Sequence, residues 1–560
     1  MARGAPSQFV RATVYGAAGR VGGSLTIIEA DQGRWMVDCG SYYPDGNGTA
    51  LERAAAAEKL NQELPLHSTS VDGLFLTHAH IDHIGRTLLL VRNGYSGPIY
   101  LTAATAVLAP VMLRSQARYD SSRTRKWSWS RRSKVPNSYI KCHWEEECEW
   151  ISKIADKNLA TRICSLADLE ATIRPIAAFA CKVCADIEVA RVSRLFQVHG
   201  YGVPFYPANG VEAILLDAGH IPGSASVLLN ITTTKGLKKI LVSGDLGNNL
   251  SNLFKGPDPA PPVDAVIVET TYGSKSRDQK VENEFEQFRH AVANAVTNSG
   301  RVWIPAFALD RTQKILNQLA IAQAEGVLLK DIPIYCYSPT AKEISRLYRE
   351  KLDPNCFRPE IVSNPKSFSP VGLIEGFPDS EDDQSKDRRH IKAPRGPCIL
   401  ITTSGMMDSA FSEALLPELM GDVKTSIFLV GWQDPKSPGG QLKALQLIAE
   451  KNKKQDSQSP EELKAMMIAM WIWFWEDPKS ISFKGTNYIV RAALKKFDCF
   501  SGHGDSHDID SWLDRSARGI PLVLVHGDGE KLQSRFEDLT EKGWTDVRIA
   551  RPGDVAIEFR

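Results

Sequence analysis

Along the first third of the chain, short apolar and β-branched stretches alternate with turn-forming residues. Residues 9–15, 25–29 and 35–38 read as strands, divided by the glycine-rich turn 16–23 and by Asp31-Gln32-Gly33. Residues 72–77 form a further apolar strand that runs directly into a histidine-rich segment. From 101 to 195 the pattern becomes largely helical and polar, and strands resume at 213–217, 226–232, 239–243 and 265–269. After Tyr272 the rhythm changes. Residues 285–298 and 310–325 carry helical spacing, while 302–304, 334–337, 398–402 and 427–430 are compact apolar runs. Strands alternating with helices predict an open α/β unit with a largely parallel sheet. Two polar stretches, 379–389 and 451–460, read as exposed loops, and no internal repeat is visible.

A chain of 560 residues is long enough for two or three domains with their own cores. A net charge of +1 gives no overall basic field, so a surface for a polyanion has to be a local patch. Ten cysteines without a disulfide-like spacing suit a reducing compartment, and a cytoplasmic location is expected. The first twenty residues have no apolar segment of a secretory signal. The longest apolar run, residues 465–475, is 11 residues and too short to span a bilayer, so no membrane partner is expected.

The strongest chemical signal is Thr77-His78-Ala79-His80-Ile81-Asp82-His83. Four metal-competent side chains follow the end of an apolar strand; in an extended segment His78 and His80 project to one side, and Asp82 and His83 enter a helix start. Imidazole and carboxylate suit Zn²⁺, and also Mn²⁺ or Fe²⁺. Two later segments place a polar side chain in a glycine-bounded turn after an apolar strand. They are Ala218-Gly219-His220-Ile221-Pro222-Gly223 and Ser243-Gly244-Asp245-Leu246-Gly247. A carboxylate such as Asp245 can bridge two ions with one oxygen on each.

These segments resemble the metallo-β-lactamase superfamily, in which H-x-H-x-D-H, a lone histidine and a bridging aspartate hold two metals in an αββα sandwich. Asp38, in Met36-Val37-Asp38-Cys39-Gly40, matches the first motif and is expected behind the ligands, orienting an imidazole. Glu269 in Val268-Glu269-Thr270-Thr271-Tyr272-Gly273, His503 in Phe500-Ser501-Gly502-His503-Gly504-Asp505 and His526 in Leu524-Val525-His526-Gly527-Asp528 resemble the motifs of the β-CASP branch. That branch includes the cleavage and polyadenylation endonucleases and the RNase J group. Residues 304–311 and 403–409 look like parts of its inserted α/β cap.

The resemblance implies an α/β architecture: an αββα domain over 1–272, the inserted β-CASP domain over 273–487, and a return to the first domain over 488–560. It implies two divalent ions, Zn²⁺ or Mn²⁺, one on His78, His80 and His220, the other on Asp82, His83 and His526, with Asp245 bridging. Such a pair lowers the pKa of a bridging water and neutralises phosphodiester oxygens. Asp82, Glu269 and His503 are the expected catalytic residues, with His503 as general acid oriented by Glu269. In this branch a histidine at the position of His526 marks the RNA-processing members. Single-stranded RNA, cut as an endonuclease or 5′-exonuclease, is therefore favoured over DNA. The competing readings are a DNA-directed nuclease of the same fold, a hydrolase of small esters or amides, and a non-catalytic scaffold. The cap, Glu269, His503 and His526 argue against the second, and the full ligand set argues against the third.

Weaker signals remain. An insertion over about 114–186 opens with eight Lys/Arg and one Asp between 114 and 134. Arg123, Arg125, Lys126, Trp127 and Trp129 could follow phosphates and stack on bases, and Ser409 could add a contact; the alternative is a solvated charge run. Cys181-Lys182-Val183-Cys184, with Cys142, His143, Cys148 and Cys164 upstream, has spacings too irregular to favour a second zinc site. Trp471-Ile472-Trp473-Phe474-Trp475 reads either as core or as a contact in a homo-oligomer. Gln441 follows two glycines where relatives of this kind carry an arginine, which removes an expected phosphate contact.

Overall fold

The computed structural model describes residues 5–44, 48–130, 185–249, 251, 253–277, 281–298, 300–364, 367–375, 391–455 and 480–560. Two seven-stranded sheets face one another. The first orders its strands Asp554–Phe559, Val10–Val14, Thr26–Ala30, Gly33–Val37, Gly73–Phe75, Ile99–Leu101, Phe196–Val198. The second runs Val547–Ile549, Leu522–Val525, Ala265–Glu269, Gly236–Val242, Ala225–Thr233, Val211–Asp217, Phe205–Ala208.

Side-chain alternation decides which core each residue enters. Ile28, Trp35, Val37 and Phe75 of the first sheet meet Leu215, Val227, Ile240 and Ile267 of the second in the layer between them. Their neighbours Ile27, Met36 and Leu74 point outward, under helices that include Thr87–Arg92 and Ala103–Ser130. Val266, Val268, Leu522 and Leu524 likewise face Ser506–Trp512 and Gly529–Glu541. Helices thus cover both outer faces, which gives the expected αββα layering.

The inserted unit has a six-stranded, wholly parallel sheet ordered Leu373–Glu375, Ile334–Tyr337, Cys398–Thr402, Arg301–Pro305, Thr425–Leu429, Ala493–Lys496. The last strand, Ala493–Lys496, comes from the returning segment expected to start at 488 and pairs with Thr425–Leu429. The two units share one apolar layer in which Leu309, Ile344, Leu347 and Tyr348 pack with Ile84, Leu253 and Phe254. Each fully buried large apolar side chain contributes roughly 1.5–3 kcal/mol, so this seam holds the units firmly. Polar ties join it. Arg114 reaches Glu343 at 3.1 Å, Arg358 donates to the carbonyls of Phe254 (2.8 Å) and Asn249 (3.1 Å), and Arg53 meets Asp434 at 2.9 Å.

Three expectations need correction. The N-terminal third, read as strands and turns, also contains the helix Ala50–Asn61, opened by a reciprocal Thr49–Glu52 cap. Residues 451–455, expected in a loop, close the helix Pro438–Gln455. The helix expected at 186–196 ends at 193 and is followed by the edge strand Phe196–Val198. The loop at 379–389, the cysteines from 142 to 184 and the aromatic run at 471–475 lie outside the described residues. No helix among the described residues is long and apolar enough to cross a membrane.

Candidate metal centre

Several strands deliver their C-terminal ends to one rim of the sandwich. Asp38 follows Gly33–Val37, and Thr77 and His78 follow Gly73–Phe75. Asp245 follows Gly236–Val242, Glu269 ends Ala265–Glu269 and His526 follows Leu522–Val525. These three strands are parallel neighbours, so their ends lie side by side. His220 comes from the turn after Val211–Asp217, and Asp82 and His83 from the short helix Ile81–Ile84. Asp38 and His526 hold φ of 62° and 56°, a conformation uncommon for residues with a side chain and typical of functional sites. Gly244 turns at φ 60° into Asp245. At Gly502 a Cβ would sit 2.8 Å from the His220 ring, so only glycine lets the His503 loop approach.

The side chains form three overlapping groups: His78, His80 and His220 with Asp245; Asp82 and His83 with His526; and Asp245, Glu269 and His503 with His526. Oδ2 of Asp245 lies 3.5 Å from His78 Nε2 and 3.7 Å from His220 Nε2, while His80 Nδ1 lies 3.0 and 3.3 Å from those same nitrogens. Oδ1 of Asp245 lies 3.2 Å from His83 Nε2 and 3.6 Å from His526 Nδ1, and His526 Nε2 is 3.5 Å from Asp82 Oδ2. Within each of the sets His78, His80, His220, Asp245 and Asp82, His83, His526, one donor atom per residue lies within 4.8 Å of the others. His83 Nε2, His526 Nε2 and Asp245 Oδ1 are buried without a hydrogen-bond partner. Buried donors and acceptors are rarely left so, and a nitrogen- and oxygen-binding divalent cation satisfies these atoms.

Electrostatics point the same way at the first set, while, against burial, Asp245 and neighbouring carboxylates raise His83 and His526 of the second. Burial pushes His78 and His220 well below the usual imidazole range, and brings His80 down to about 4 despite the pull of Asp82, Asp245 and Asp310. These rings stay neutral, with lone pairs free for an ion. Burial alone would raise the Asp245 carboxyl, but His526, His83, His503 and His78 hold it well below its ordinary value. Asp82, also opposed by burial, is brought to about 2, chiefly by His526.

Behind the ligands, Asp38 Oδ2 accepts from His83 Nδ1 at 2.6 Å, and Asp38 also takes the Thr77 N–H and hydroxyl. Glu269 is fully buried and lies 3.1 Å from His503 Nδ1. The His503 side chain is 21% exposed, against 0–3% for His78, His83, His220 and His526, so it alone of these five rings reaches solvent. Its main chain is clamped by Asn248, whose amide donates to the carbonyls of Ser501, Gly502 and His503, and by Arg277, which donates to the carbonyl of His503.

All ten residues expected in or behind the centre therefore converge. Arg123, Arg125, Lys126, Trp127 and Trp129 fall on the far part of the helix Ala103–Ser130, where side chains lie outside the description. Ser409 caps the helix Ala410–Gly421 and its hydroxyl donates to Asp408 at 3.2 Å. Gln441 is engaged with the backbone of Ser482 at 2.9 and 3.0 Å. Sequence reading passed over Thr77, Asn248, Thr271 and Arg277; Thr77 and Thr271 stand inside segments quoted for their neighbours.

Comparison with known proteins agrees with this geometry. Residues 18–284 match the metallo-beta-lactamase superfamily, 312–442 the Beta-Casp domain, and 487–550 the Zn-dependent metallo-hydrolase RNA specificity domain. The chain is 26% identical to Ribonuclease TTHA0252 of Thermus thermophilus over 97% of its own length and 99% of that protein's. It is 23% identical to the Cleavage and polyadenylation specificity factor subunit 3 of Dictyostelium discoideum, covering 98% of this chain and 57% of that one. It is 24% identical to Transcription termination factor FttA of Methanococcus maripaludis, covering 93% and 68%. With three family matches in the expected order and a full-length relative, the chain belongs to the metallo-β-lactamase superfamily, in its β-CASP branch.

Proposed function

We propose that the protein is a metal-dependent ribonuclease that hydrolyses phosphodiester bonds in single-stranded RNA. The observation that carries this reading is the split of one carboxylate, Asp245, between two histidine-rich donor sets, with the Glu269–His503 pair beside them. His78, His80 and His220 would hold one divalent ion, and Asp82, His83 and His526 a second. Asp245 offers an oxygen to each. Zinc suits this nitrogen- and oxygen-rich donor set, and manganese is the alternative. Such ions, when bound, activate water as a nucleophile and neutralise the non-bridging oxygens of the diester.

The chain's own residues supply the rest. Asp38 fixes the His83 ring, so Nε2 faces inward. His503 stands at the solvent-facing side of the centre, where it can deliver a proton to the departing sugar oxygen. Glu269 lies 3.1 Å from His503 Nδ1 and orients the ring. RNA is favoured over DNA because the full-length Thermus relative is named a ribonuclease and because His526 falls in the segment matching an RNA specificity domain.

The test is incubation of zinc- or manganese-loaded protein with end-labelled single-stranded RNA and the matching DNA. Expected is cleavage of RNA that a chelator abolishes, with the label reporting polarity. Faster cleavage of DNA, or turnover of small esters alone, would overturn the proposal.

A further inference from the structure

Two carboxylates behind the centre share an arrangement. Asp38 accepts His83 Nδ1 directly at 2.6 Å and takes the Thr77 hydroxyl, whose oxygen lies 3.1 Å from His78 Nδ1. Glu269 faces His503 Nδ1 directly at 3.1 Å and takes the Thr271 hydroxyl at 2.5 Å, and that oxygen lies 3.0 Å from His526 Nδ1. In each case a threonine stands between a carboxylate and a ring that faces the donor sets.

The direction of these bonds follows from proton counting. A carboxylate only accepts, and Glu269 is met by the N–H groups of Leu246 at 2.7 Å and Thr271 at 3.2 Å as well as by the hydroxyl. Thr271 has a single hydroxyl proton. At 2.5 Å it goes to Glu269, in preference to the His526 carbonyl at 3.3 Å. The Thr271 oxygen then offers only lone pairs to His526 Nδ1, which must carry the proton. The ring's free lone pair is left on Nε2, the buried atom without a partner that faces Asp82. The main chain that carries the ring is held in place, the His526 N–H by the Ala17 carbonyl at 2.7 Å and the backbone at φ 56°.

We propose that Thr271 is a positioning residue that fixes His526 in its Nδ1–H tautomer and so presents Nε2 to the second divalent ion. This rests on the two-ion reading above, and it ties the ring of the proposed acid, His503, to a ligand ring through one carboxylate. Removing the hydroxyl leaves His526 free to place its proton on Nε2, the nitrogen that has to bind.

The experiment compares Thr271→Val, which keeps the shape without the hydroxyl, with Thr271→Ser, which restores it. Each full-length protein is stripped and titrated with Zn²⁺ against a chromophoric chelator, and the d–d absorption of Co²⁺ reports the geometry of each ion. Expected for Thr271→Val is one ion bound as in the wild type and a second weakened about 10- to 100-fold, the usual effect of losing a hydrogen bond behind a ligand histidine. Thr271→Ser should recover both ions. Wild-type affinity for both ions in Thr271→Val, equal weakening of both, or failure of Thr271→Ser to recover the second would each overturn the assignment. A wild-type protein that binds two ions but leaves RNA intact would instead refute the ribonuclease reading and leave the role of Thr271 standing.

Discussion

Replacing His503 by alanine separates proton donation from metal binding. His503 Nδ1 is 3.1 Å from Glu269 and 3.9 Å from the nearest oxygen of Asp245, and its side chain is more exposed than those of His78, His83, His220 and His526. It should therefore hold no ion, and metal content should stay unchanged in His503→Ala. Loss of a proton donor slows cleavage by roughly 10²- to 10⁴-fold. Glu269→Gln keeps the ring but exchanges a bond to a charged group for a neutral one. A hydrogen bond to a charged group contributes about 1.5–3 kcal/mol, so the defect there should be roughly 10- to 150-fold. The assay is single-turnover cleavage of a defined RNA beside hydrolysis of a nitrophenyl phosphodiester, whose leaving oxygen needs no proton. The His503→Ala defect should shrink to below about tenfold on the activated ester if protonation is what was lost. Loss of one ion from His503→Ala, or equal defects on the two substrates, would refute the reasoning.

Further expectations concern ions, pH and salt. Asp245→Ala should release both ions more readily than His220→Ala, as read by metal analysis after dialysis, because only Asp245 faces both donor sets. Burial, reinforced by Asp258, raises the Asp217 carboxyl from 3.8 to about 6, so the folded protein loses stability as pH rises from 3.8 to 6 and carries the whole penalty above it. Asp217→Asn, which can keep the bond from the Gly219 N–H, should then stabilise the protein by up to about 3 kcal/mol at pH 7 and by little at pH 4, measured by thermal unfolding. Neutralising Arg123, Arg125 and Lys126 together should weaken RNA binding and flatten its salt dependence, since fewer counterions are released. Unchanged binding across a salt series would return that segment to a solvated charge run.

The parts of this structure that could be read in advance are those where burial leaves an unbroken mark. The strand Ala265–Glu269 is buried throughout and apolar up to its last residue, so it stands out even without alternation. Ile99–Leu101 and Phe196–Val198 have three residues each, too few for any period to show. The helix Ala50–Asn61 presents four consecutive alanines rather than an apolar stripe, and its signal lay in the Thr49–Glu52 cap. At the site, ligand types and spacing were visible in the histidine motifs. The function of Thr271 was not, because it depends on which of two atoms a single proton approaches. That Ala493–Lys496 joins the cap sheet was hidden for a related reason: it alternates half-buried with exposed positions, and only its pairing with Thr425–Leu429 places it there.

The two ends of the chain are neighbours in one sheet, Val10–Val14 beside Asp554–Phe559, and Leu522–Val525 fills the place between Ala265–Glu269 and Val547–Ile549. During synthesis this has a temporal consequence. A nascent chain that has reached residue 490 already holds His78, His80, Asp82, His83, His220, Asp245 and Glu269, but neither His503 nor His526. The first sheet lacks an edge strand, the second lacks its Leu522–Val525 and Val547–Ile549 strands, and the site lacks its proposed proton donor and one proposed ligand. His503 and His526, proposed as proton donor and ligand, are therefore made only after the cap strands up to Ala493–Lys496, so the proposed site is completed by the segment that also closes both sheets.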